Sequence, residues 1–76
     1  MDGEAIRQEL ISYIHDNFIH DTEVKQSRVI TYMHSLDPSI REDSVVSLIR
    51  EMADNGQFGI AKNDEGETVI KLPTAR

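Results

Sequence analysis

The feature that most constrains the fold is Asn55-Gly56, because the spacing of apolar residues changes across it. Before it, Val45, Leu48, Ile49, Met52 and Ala53 recur at three and four residues, the period of an amphipathic helix. After it, "QFGIAK" and "TVIKL" alternate, placing Phe58 and Ile60, then Val69 or Ile70 and Leu72, in short strands. Glycine readily takes the left-handed conformation that closes many helices, so a helix over 40–55 should end here and lead into a hairpin over 57–72. The strands are expected at about 57–62 and 68–72, joined by the turn cluster "NDEGE" and ended by Pro73, with "PTAR" as a frayed tail. A helix opening directly onto a hairpin implies an α+β fold.

Two further helices precede that break. Ile6, Leu10, Tyr13 or Ile14, and Phe18 form the apolar stripe of a helix over 3–18. A second helix is expected over 22–35, with Val24, Val29, Ile30, Met33 and Leu36 inward. Asp21 or Thr22 would cap it and Ile19 would act as a staple, while the piece from Phe18 to His20 has the alternative of pairing as a strand. Pro38 ends the second helix, and Ser39 with Glu42 has the spacing of a capping box for the third.

The 76 residues contain no cysteine, so neither a disulfide framework nor a cysteine-held zinc can support the chain, and packing must. One domain over residues 1–76 is the expected organisation. No apolar run approaches the ~18 residues that span a bilayer. The acidic start "MDGEAIRQEL" is unlike a secretory signal, so an intracellular, cytoplasmic location is expected, or a nucleoid or nuclear one if the chain is bound to DNA. The net charge of −6 argues against non-specific attraction to nucleic acid or anionic membrane. His15, His20 and His34 lack the paired spacing of a metal site, and no phosphate loop, nucleophile elbow or catalytic carboxylate pair is present. The expectation is a protein with no enzymatic activity, metal or cofactor.

The run "SVVSLIREMADNGQFGIAK" resembles the recognition helix, closing glycine and first wing strand of the winged-helix (winged helix-turn-helix) superfamily, and the resemblance extends over nearly the whole chain. It implies three helices followed by a two-stranded wing. In DNA-binding members the third helix enters the major groove and the wing reaches the backbone. The positions matching that surface here are Arg41, Glu42, Asp43, Ser44, Ser47 and Arg50, with Lys25 and Arg28 at the second helix and Lys62 in the wing as phosphate contacts. The implied function is DNA binding in transcriptional or replicative regulation, with double-stranded DNA as partner and a homodimer or larger assembly for tight binding. Glu42 and Asp43 favour the positive end of the helix, yet they occupy the place where it would attract phosphate. The alternative is an acidic protein–protein interaction module that binds a basic surface, compatible with a terminal domain of a larger protein. Tyr13, Tyr32 and Phe58 are its candidate contact aromatics, with a place in so small a core as the competing use.

Overall fold

The computed structural model describes residues 2–72. They form an α+β structure of three helices and a three-stranded antiparallel sheet, in the order α1 (Gly3–His20), β1 (Glu23–Lys25), α2 (Gln26–Leu36), α3 (Glu42–Asp54), β2 (Gly59–Lys62) and β3 (Thr68–Lys71). The expected tail beyond Leu72 lies outside the described residues.

Asp2 starts α1, where its Oδ1 accepts a 2.8 Å hydrogen bond from the Ala5 amide. The helix runs to His20, beyond the expected end at Phe18, so the piece from Phe18 to His20 is helical and does not pair as a strand. Its apolar side brings Leu10 and Ile14 into the core and sets the Tyr13 ring on Tyr32 of α2, with centroids 4.1 Å apart and planes 13° from parallel. Stacking of this kind contributes ~0.5–1.5 kcal/mol beyond the area it buries. The Tyr32 hydroxyl donates to Glu9 Oε2 at 3.1 Å.

The expected second helix begins four residues later than its sequence suggests. Thr22 to Lys25 are not helical, and neither Asp21 nor Thr22 caps α2; Lys25 stands at its N-cap without a side-chain hydrogen bond. Instead Glu23, Val24 and Lys25 pair with Lys71, Ile70 and Val69. As a strand, the segment buries Val24 to 3% exposure while Glu23 and Lys25 remain in solvent, and its backbone groups find partners on β3. The sheet therefore has the order β1-β3-β2 and is not the expected two-stranded hairpin.

The capping box expected at α3 does not form. The Ser39 hydroxyl and amide both donate to Asp37 Oδ1, at 2.7 and 3.0 Å, which closes a turn that buries Ile40. Arg41 takes the N-cap position of α3 with no side-chain hydrogen bond. At the other end Gly56 has φ +82°, its amide donates to the Ala53 carbonyl at 3.0 Å, and the Gln57 amide donates to the Met52 carbonyl at 3.1 Å. This is a Schellman closure, and it turns the chain from α3 into β2.

Beyond it Phe58 is buried just before β2 begins. The hairpin turn is built by Asn63, whose Oδ1 accepts from the amides of Glu65 and Glu67 at 3.0 and 2.9 Å, with Gly66 at φ +80°. In β3 both Val69 and Ile70 are buried, while Leu72 is 45% and Ile60 of β2 is 40% exposed, so simple alternation places Ile60 and Leu72 too deep. Leu36 is likewise exposed. Val24, Val29, Met33, Ile40, Val45, Ile49, Met52, Phe58 and Ile70 close the core against Leu10 and Ile14 of α1.

Candidate binding face

The seven sequence-predicted contact residues, all exposed, divide into four groups. Arg41 is tied to its neighbour, with its guanidinium 3.0 Å from Asp43 Oδ2. Ser44 and Ser47 lie on the exposed side of α3 and line none of the hollows described below. Lys25 and Arg28 border a hollow of about 480 Å³ that also holds Asp21, Glu23 and Glu67. There Lys25 Nζ is 3.1 Å from Glu67 Oε1. Hydrogen bonding and attraction to Glu67 raise the Lys25 ammonium above its ordinary value, and the same bond, with one from Asn63, lowers the Glu67 carboxyl.

Arg50 and Lys62 come together. They border one groove of about 310 Å³ between the middle of α3, the start of α2 and the hairpin, completed by Gln26, Val46, Ile60, Ala61 and Thr68. Lys62 Nζ donates to Thr68 Oγ1 at 2.9 Å, which extends the lysine along the hairpin, and Arg50 makes no ion pair with a described carboxylate. Among the described residues no carboxylate lines this groove. A second hollow of about 460 Å³ shares Gln26 and Thr68 with it and continues between α2 and α3 past Ile30, Thr31 and His34 to Glu42 and Glu67. Glu42, Val46 and Arg50 are spaced four apart, so one stripe of α3 runs along both hollows.

Sequence reasoning missed the apolar part of this face. Val46 lies outside the stripe of Val45, Ile49 and Met52, and an apolar residue on the open side of an amphipathic helix was the available signal. The exposure of Ile60 had none, because it depends on how far the hairpin projects beyond the helices.

The remaining charges lie elsewhere. Arg7 of α1 reaches Glu51 of α3 at 3.4 Å, an exposed pair of small energetic value. On the side where α1 meets α2, Glu9, Asp16, Asp21 and His20 line a hollow of about 400 Å³ beside the stacked tyrosines. Burial, then the hydrogen bond to Glu9, raises the Tyr32 phenol above its ordinary value. No group of three or more histidine and acidic side chains among the described residues is placed to hold a metal ion, and no described helix is long and apolar enough to cross a membrane. Compared with family models, curated proteins and solved structures, the chain matches none of them.

Proposed function

We propose that this chain is a non-catalytic winged-helix module whose groove between α2, α3 and the hairpin binds a segment of a protein partner. The order of elements supports the winged-helix reading: α2 and α3 follow one another in mid-chain, and α3 opens through Gly56 onto a hairpin. The third strand is an addition to the expected wing, and it anchors the hairpin to the start of α2.

The observation that carries the protein-binding reading is the arrangement of charge around an apolar floor. Val46, Ile60 and Ala61 line the groove together with Arg50 and Lys62, while carboxylates follow on the elements that carry them: Glu42 and Asp43 at the start of α3, Asp64 and Glu65 in the hairpin turn. A DNA duplex is wide and carries a phosphate charge about every 1.7 Å of axis, so it would meet those carboxylates as well as the two cations. A peptide is narrow enough to lie on the floor between them.

Double-stranded DNA, engaged in transcriptional or replicative regulation, is the second reading, and the meeting of Arg50 and Lys62 on one groove favours it. Two phosphate contacts would give a salt dependence with a slope of only about −1.8 in log affinity against log salt. Titration with mixed-sequence duplex DNA, followed by amide shifts at low and moderate salt, separates the two. The protein-binding reading expects no shifts over 42–50 or 59–68, and peptides selected on the chain from a random linear library should shift Val46, Arg50 and Ile60. Salt-sensitive DNA shifts at those residues, with no selected peptide reaching them, would transfer the groove to DNA.

A further inference from the structure

The sheet has two open edges, and they differ. In the ladder between β2 and β3 the Asn63 amide donates to the Glu67 carbonyl at 3.0 Å. Hydrogen-bonded pairs in an antiparallel ladder alternate, so Ala61 and Gly59 also turn their backbone groups toward β3, across from Val69 and Lys71. The other ladder agrees: the Leu72 amide donates to the Thr22 carbonyl, which directs Ile70 and Leu72 toward β1. The amides and carbonyls of Ile60 and Lys62 therefore point away from β3, on an edge where no strand is paired. Such an edge is a template for another extended chain.

The β1 edge carries Glu23 and the Lys25 already held by Glu67, over three residues. The β2 edge has four residues and no carboxylate, and its side chains join the groove that holds Arg50. In a chain of net charge −6, the described residues lining that groove include two cations and no anion, whereas the neighbouring hollows contain Glu42, Glu67, Asp21 or Glu23.

We propose that the open edge of β2 takes up an extended acidic peptide segment as a fourth strand, with apolar side chains of that segment on Val46 and Ile60 and its carboxylates on Arg50 and Lys62. The proposal rests on the protein-binding reading above and specifies the partner's chemistry. The backbone of Ile60 and Lys62 supplies two donors and two acceptors, and the incoming strand places alternate side chains toward α3. A second copy of this chain is the poorer occupant. Antiparallel pairing of two β2 strands about Ala61 would set Ile60 of one copy across from Lys62 of the other and gather both pairs of Arg50 and Lys62 at one joint, where like charges repel.

The test uses the full chain and three blocked hexapeptides: one in which a valine and two glutamates alternate with threonine, so that valine and carboxylates share the face of Ile60 and Lys62, one with lysine in place of glutamate, and the glutamate peptide N-methylated on the amides that would face β2. The glutamate peptide should bind about tenfold or more tightly than the lysine peptide at low salt, the ratio expected from two surface charge pairs changing sign. N-methylation should abolish binding without altering the protein. On binding, the Ile60 and Lys62 amides should exchange with solvent at least about tenfold more slowly, while Ala61, already bonded to β3, serves as internal reference. Arg50→Glu with Lys62→Glu should reverse the preference toward the lysine peptide.

Binding on Val46 and Ile60 without protection of the Ile60 and Lys62 amides would overturn strand addition and leave the protein-binding reading standing. Equal affinity for the two charged peptides would overturn the acidic partner. Absence of glutamate-peptide binding, or a concentration-dependent dimer that protects the same two amides, would overturn the proposal outright. Displacement of the peptide by duplex DNA would remove the protein-binding reading with it.

Discussion

Gly56 offers the sharpest test of how the fold positions the groove, because it turns the chain between α3, which carries Arg50 and Val46, and β2, which carries Ile60 and Lys62. Its φ of +82° lies in the left-handed region, and a Cβ added there would meet no heavy atom within 4 Å. Gly56→Ala therefore changes backbone strain and leaves packing untouched, so the loss should be ~1–2 kcal/mol, the left-handed penalty of an L-residue. For a chain of this size each kcal/mol lowers Tm by ~4–8 °C, so the expected fall is about 4–16 °C.

Gly59 is the matched control, with no neighbour within 4 Å of an added Cβ and no positive φ. Gly59→Ala restricts the unfolded chain without straining the folded one and should stabilise by ~0.4–1 kcal/mol. Urea unfolding followed by far-ultraviolet circular dichroism gives both values, and the slope of stability on urea should stay constant if the native and unfolded states keep their exposure. Gly56→Asn should fall between glycine and alanine, since asparagine tolerates this conformation better. A Gly56→Ala loss below ~0.5 kcal/mol would show that the turn relaxes to another conformation, and would refute the assignment of its geometry to Gly56.

Three further outcomes are expected. Hydrogen bonds from Ser39 hold the Asp37 carboxyl down at about 2, so its contribution is present above the ordinary aspartate value and is lost as pH falls from about 4 toward 2. The difference in urea midpoint between the parent chain and Asp37→Asn should shrink over that window, and a constant difference would dismiss the linkage. Asp2→Ala should cost ~1 kcal/mol by removing the cap of α1, whereas Arg41→Ser should stabilise by about the same amount by supplying the side-chain cap that α3 lacks, both read from urea midpoints. Burial, then Glu9, should make Tyr32 ionise above the ordinary phenol range, as followed by phenolate absorbance, and Glu9→Gln should lower it only part of the way while the stack with Tyr13 persists.

What could be read from the chain alone was governed by local rules. Val45, Ile49 and Met52 form a buried stripe at helical spacing, and Asn55-Gly56 ends α3 where a left-handed residue is required. Leu10 and Ile14, and Val29 and Met33, follow the same helical period, and the change to short apolar runs marks the two strands of the hairpin without fixing which of their side chains are buried. The capping box illustrates the limit of such rules: Ser39 has the right spacing to Glu42, yet Asp37 is two residues away and accepts both of its protons.

Of the candidate site, the chain exposed its charges and the tertiary structure decided their use. Lys25 and Arg41 look alike in sequence to Arg50 and Lys62, but Glu67 and Asp43 engage the first two, while the fold gathers the second two on a groove that no described carboxylate lines. Asp43 is a near neighbour of Arg41, but Glu67 reaches Lys25, and Lys62 meets Arg50, from positions distant along the chain that no local period encodes. The same holds for β1, whose three residues carry too little signal to be distinguished from a helix start and become a strand because β3 supplies hydrogen bonds from more than forty residues away. By itself the sequence determined three amphipathic segments, a glycine-closed helix and a hairpin, because these depend on neighbours within a few residues. The third strand, the open edge of β2 and the pairing of Lys25 with Glu67 were decided only when those segments packed together.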